Sequence, residues 1–155
     1  MYNKILVALD TSDDFNHIAE TVIEIAKNKN TKVVLFHTLD NIMTYILPTI
    51  VVPVGYSSTL LSPSYIENRR EIEDNAKQLL EDTKQLFEKE NIAVESRLID
   101  DESPEDYITR VIDEEGFDLV VLSCKGDHSS FRRAFTETIP LKILNDGRSD
   151  VLIIR

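Results

Sequence analysis

Cys124 follows a strand-like apolar run and precedes Lys125, and a cation beside a thiol favours the thiolate when both face one cleft. A nucleophile also needs a base. No histidine or acid stands at a spacing that names one, so Cys124 reads as a small buried hydrophobe at a strand end. His17, His37 and His128 are far apart and share no ligand spacing with one another or with the cysteine, so no metal site is expected. The carboxylate pairs have ordinary structural roles: Asp13-Asp14 suits a helix start, and Asp100-Asp101 a solvated loop. Ser129, Ser130, Arg132 and Arg133 cluster donors that an anion can use, although the two arginines equally suit a solvated surface. A Gly-x4-Gly-Lys-[Ser/Thr] phosphate loop and a Gly-x-Gly-x-x-Gly turn are both absent, which leaves the usual nucleotide hydrolase and dinucleotide readings without their main support. No catalytic residue is expected.

The elements that must position these groups can be read from hydrophobic periodicity. Ile5-Leu6-Val7-Ala8-Leu9 is a continuous apolar run, the pattern of a strand buried on both faces. Phe15, Ile18, Ala19, Val22, Ile23 and Ala26 then recur at helical spacing, with Ser12 and Asp13 placed to cap the start. Val33-Val34-Leu35-Phe36 predicts a second buried strand. Ile72, Ala76, Leu79, Leu80, Thr83, Leu86 and Phe87 mark one face of a long charged helix, and a third strand follows around Val94 to Ile99. Ser103-Pro104-Glu105-Asp106 combines a hydroxyl cap, a proline at the first helical position and acids in the first turn, and Gly116 closes that helix. Leu119-Val120-Val121-Leu122 predicts a fourth strand, a short helix is expected from about 138 to 145, and Val151-Leu152-Ile153-Ile154 forms a fifth strand. Strands alternating with helices predict an α/β fold with a parallel, doubly wound sheet, and ligands of such sheets bind beyond the carboxyl ends of the strands where the strand order reverses. The ends of the first and fourth strands are the place to look.

At 155 residues the chain suits one domain, residues 1–155, with one sizeable core. Lys and Arg total 17 against 28 Asp and Glu, a net charge of -11 that repels phosphate backbones, so no nucleic acid and no anionic membrane is expected as a partner. One cysteine permits no internal disulfide, and Met1 to Lys4 leads straight into the first strand, so the expected location is cytoplasmic. From Asn41 to Ile66 no residue is charged, in a chain that is 29% charged as a whole. Pro48, Pro53, Gly55 and Pro63 argue against a membrane helix there, and the stretch at about 41–64 reads as a loop over the sheet edge, or as a lid or partner surface.

Three stretches in order resemble the universal stress protein family: Lys4 to Ser12, Leu35-Phe36-His37-Thr38-Leu39-Asp40, and Asp118 to Ser123 continuing to Val151-Leu152-Ile153-Ile154-Arg155. The resemblance covers nearly the whole chain. It implies a five-stranded parallel sheet in the order 3-2-1-4-5, a Rossmann-like three-layer sandwich, a homodimer and, in one branch, ATP at the tips of strands one and four. The last strand is then an edge that can pair with its twin, which makes Val151, Leu152, Ile153 and Ile154 the candidate dimer interface.

The nucleotide-binding branch carries Gly-x2-Gly-x9-Gly followed by Ser or Thr, where glycines let backbone N–H groups approach phosphate oxygens. Laid on this chain, those positions fall on Ser123, Gly126 and the pair Thr136-Glu137, so one glycine of the pattern remains. Glu137 sets a carboxylate where the family offers a hydroxyl, and Asp127 adds a second. Like unit charges about 4 Å apart repel by about 4 kcal/mol at an effective dielectric near 20, comparable to several hydrogen bonds. Asp10, by contrast, matches the acid at the adenosine end of the family site, though it can also cap the first helix.

The candidate pocket is therefore Asp10, Thr38, Ser123, Gly126, Ser129, Thr136, Glu137 and Thr138. The expected function is a dimeric stress-response protein that acts through an unknown protein partner, with a degraded nucleotide site and no ligand required. The alternative is a nucleotide switch that binds ATP, AMP or another adenine nucleotide. Slow ATP hydrolysis, a third reading, depends on the binding that Glu137 disfavours.

Overall fold

The computed structural model describes residues 2–10, 14–27, 30–39, 63–100, 102–123, 145 and 148–154. The apolar runs form strands β1 (Lys4–Ala8), β2 (Lys32–Thr38), β3 (Ala93–Ile99), β4 (Leu119–Ser123) and β5 (Asp150–Ile154). All neighbours pair in parallel, as the alternation of strands and helices predicts, and in the order β3-β2-β1-β4-β5 that the family resemblance implies. β2 extends two residues past Phe36, so His37 and Thr38 belong to the strand.

Helix α1 (Phe15–Ala26) is capped by Asp14, whose carboxylate accepts from the His17 amide. The cap thus lies one residue beyond the expected Ser12 and Asp13, which fall outside the described residues. Helix α2 (Pro63–Lys89) begins inside the stretch expected to be loop, because proline is tolerated in a first helical turn where its missing N–H has no intrahelical partner anyway. Ile72, assigned to the buried face of α2, is instead 40% exposed, whereas Ala76, Leu79, Leu80, Thr83 and Phe87 are buried. The rest of the uncharged stretch, 41–62, lies outside the described residues, as does the short helix expected at about 138–145 apart from Asn145.

Helix α3 (Pro104–Glu115) starts as its sequence dictates. Ser103 Oγ accepts from the Asp106 amide at 3.2 Å, and Gly116, at φ 67°, ends the helix in the left-handed conformation that glycine adopts without steric cost. Asp100 is not simply solvated: it receives both hydrogen bonds of Arg69 Nη2, at 2.8 and 2.9 Å.

Period-two alternation sends the strand side chains into two cores. Ile5, Val7, Leu9, Val33, Leu35 and Val121 pack with α1 and α2, while Leu6, Ala8, Val34, Phe36, Val120 and Leu122 pack with α3. Register is pinned at both ends of β1. At its start, the Asp118 carboxylate accepts from the Asn3 and Lys4 amides at 2.8 and 2.9 Å; at its end, Leu9 N donates to Phe36 O at 2.9 Å. Among the described residues no helix is long and apolar enough to cross a membrane.

Candidate nucleotide site

The site is built where β1 sits between β2 and β4 and the chain turns from one sheet half to the other, the position at which open α/β sheets form a crevice. The ladder pairs Lys4 with Lys32 and Ala8 with Phe36, so Asp10, two residues past the end of β1, and Thr38, the last residue of β2, stand at the same end of the sheet. On the other side Val7 pairs with Val121, which sets Leu9 beside Ser123. Asp10, Thr38 and Ser123 therefore all stand at or just past the carboxyl ends of neighbouring strands. Gly126, Ser129, Thr136, Glu137 and Thr138 lie outside the described residues.

His37 is the contributor that spacing arguments overlooked. Its ring is buried, and Nδ1 lies 2.7 Å from Leu9 O. A carbonyl only accepts, so Nδ1 carries the proton, and the imidazole clasps β1 to β2 one residue before Asp10. The sequence signal for it was the position alone, a polar residue directly after a buried run at a strand end.

Thr38 is 2% exposed, and among the described residues its Oγ1 has no hydrogen-bond partner. Asp10 is partly exposed. A carboxylate accepts hydrogen bonds and a hydroxyl can donate or accept, so both residue types suit a polar ligand. Among the described residues, no group of three or more His, Cys, Asp or Glu side chains is arranged to hold a metal ion.

The universal stress protein family matches residues 1–155, the full length of the sequence. The chain belongs to the universal stress protein family. No curated protein sequence matches it. Among solved structures, this universal stress protein is similar to UspA from Lactobacillus plantarum, with 20% identity over 99% of this chain and 98% of that one and a TM-score of 0.67. It is similar to the universal stress protein from Archaeoglobus fulgidus in complex with dAMP, with 18% identity over 99% and 98% of the chains and a TM-score of 0.59. It is also similar to a family member from Arabidopsis thaliana with AMP bound, with 15% identity over 98% and 90% of the chains and a TM-score of 0.57. At these identities the likeness concerns the fold, and it agrees with the five-stranded parallel order seen here.

Proposed function

We propose that this universal stress protein binds an adenine nucleoside or its monophosphate at the carboxyl ends of β1, β2 and β4, discriminates against ATP, and acts through a protein partner. The observation that supports the reading is the buried, unpartnered Thr38 hydroxyl at the carboxyl end of β2, next to the reversal of strand order, in a fold whose solved relatives include complexes with AMP and dAMP. The discrimination follows from charge. In the sequence pattern Glu137 stands where the family offers a hydroxyl and Asp127 adds a second negative charge, so added phosphate charge is disfavoured.

The test is a thermal-shift titration with adenosine, AMP, ADP and Mg-ATP, run beside Glu137→Ser. Adenosine and AMP should stabilise the wild type by about 2.7 kcal/mol at a hundred times Kd, a rise of roughly 5–10 °C for a chain of this size. Mg-ATP should do so only in the variant. Equal shifts by AMP and ATP in the wild type would sink the discrimination, and silence of all four ligands in both proteins would leave a purely partner-binding protein.

The second element of the reading is a homodimer through β5. The strand lies at the sheet edge, pairs only with β4 among the described residues, and leaves Ile153 39% exposed. Ile153→Lys should convert a dimer to a monomer in sedimentation equilibrium. A variant that stays dimeric places the interface elsewhere, and a monomeric wild type overturns the dimer.

A further inference from the structure

β3 forms one side of the sheet: it pairs with β2 and, among the described residues, with no other strand. In a parallel ladder the residues of a strand alternate, one bonding its neighbour through both N–H and C=O and the next directing both the other way. Leu39 N donates to Ile99 O at 2.8 Å, which puts Ile99, Arg97 and Glu95 on the β2 side of that alternation. Val94, Ser96 and Leu98 therefore direct their N–H and C=O groups outward, and among the described residues these groups have no partner. Edges of sheets are usually blunted by proline, bulges or outward charge. β3 has seven residues in unbroken register and no proline, and its charged side chains are engaged over the α3 face: Arg97 with Glu115 and Glu95, and Glu95 also with Lys32 at 2.8 Å. The residues with outward backbone groups turn their side chains toward α2. Val94 and Leu98 pack against its core, and Ser96 and Leu98 floor a groove of about 570 Å³ walled by Asp74, Lys77, Leu80 and Glu81 of α2. The wall is acidic, because the Lys77 ammonium is held by Glu73 at 2.5 Å while Asp74 and Glu81 form no salt bridge among the described residues.

We infer that the β3 edge binds an extended, basic segment of a partner protein as a sixth strand, an inference that rests on the partner reading above and not on the nucleotide. The segment hydrogen-bonds the backbone of Val94, Ser96 and Leu98, and its side chains on the α2 face enter the groove, an apolar one against Leu80 and Leu98 and a lysine or arginine against Asp74 and Glu81. Charge decides the occupant. A second copy of this chain brings a net charge of -11 and the same acids to the seam, whereas a basic segment neutralises them. β3 and β5 are the two ends of the strand order, so the segment and the β5 dimer proposed above do not compete.

The probe is a fluorescein-labelled peptide of alternating valine and lysine, about seven residues long to match β3, titrated by anisotropy without nucleotide beside a valine-glutamate peptide. Wild type should bind the lysine peptide about 10-fold or more tightly than the glutamate peptide, and the difference should shrink as salt is raised. Ser96→Pro removes one outward N–H and no ladder bond, a substitution that an edge strand tolerates, and should weaken binding by about 10-fold or more. The double variant Asp74→Asn, Glu81→Gln, changed only on the exposed face of α2, should weaken it about 3–10-fold and flatten the salt dependence. Amide hydrogen exchange reads the same contact in wild type. Val94, Ser96 and Leu98 should exchange fast in the free protein and slow about 10-fold or more at saturating peptide, while Glu95, Arg97 and Ile99 stay protected throughout. Absence of binding to wild type, equal binding of the two peptides, or undiminished binding to either variant overturns the inference. Protection of Val94, Ser96 and Leu98 before peptide is added also overturns it, and shows the edge taken by the chain itself if independent of protein concentration or by a second copy if it rises with concentration. None of these outcomes alters the thermal-shift result for nucleotides, so the edge site and the nucleotide reading fail separately.

Discussion

Phe36→Ala is expected to remove about 3–5 kcal/mol of folding stability, the cost of truncating a fully buried phenylalanine and leaving a cavity behind it. Phe36 is 0% exposed on a strand hydrogen-bonded on both sides, and its ring packs against Tyr107 of α3. Its carbonyl also accepts from Leu9 N, the last backbone bond before Asp10. Domains of this kind are stable by about 5–15 kcal/mol, so the variant should sit near the edge of folding at 37 °C. Urea unfolding at 25 °C measures it: the midpoint should fall while the slope stays near that of wild type. Phe36→Leu, which keeps most of the volume, should lose well under half as much, and equal losses in the two variants would show that ring packing is not what holds this layer together.

The second large effect is in acid. Over the α3 face of the sheet, Arg97 binds both oxygens of Glu115 at 2.5 and 3.1 Å and Glu95 at 2.7 Å, and Lys4 and Lys32 complete the chain of charges at 3.0 and 2.8 Å. Arg97 holds the Glu115 carboxyl at about 2, with burial opposing and Lys4 assisting, against an ordinary value of 4.5. Glu95 is likewise lowered to about 2 by Arg97 and Lys32. A carboxylate whose folded pKa is depressed stabilises the native state fully above about 4.5, and that contribution is lost as pH falls toward 2. After allowance for solvent screening of partly exposed groups, the Glu115 share is about 1–2 kcal/mol. Unfolding midpoints measured from pH 7 down to pH 2.5 should therefore fall most steeply below pH 4.5 in wild type. Glu115→Gln should begin lower at pH 7 and converge with wild type at the acid end. Parallel curves would mean that the pair contributes nothing through its ionisation.

The lesson about legibility lies in particular residues. Ser103 and Gly116 announced both ends of α3 because capping and the left-handed conformation depend on the residue itself and its near neighbours. Asp14, of the Asp13-Asp14 pair expected at the helix start, caps α1; by type Ser12, Asp13 and Asp14 all suit that role, and the backbone path decides which residue takes it. Ile72 fits the apolar period of α2 yet is exposed, since periodicity says which residues share a helix face and not how far along the helix that face is covered. Pro63 looked like loop punctuation and begins a helix, an ambiguity inherent in a residue that both interrupts helices and starts them.

By itself the sequence determined the order of strands and helices, the parallel sheet buried on both faces, the acidic surface and the family likeness that points to one end of the sheet. Those follow from local pattern: runs of apolar residues, period, caps and charge. Only the tertiary structure decided that His37 clasps the carbonyl of Leu9, 28 residues away, that Lys4 meets Glu115 across 111 residues, and that Thr38 alone of the described buried polar side chains has no partner. Each of these depends on strand register and on which groups burial removes from water, and both are properties of the whole packed sheet that no stretch of neighbouring residues encodes.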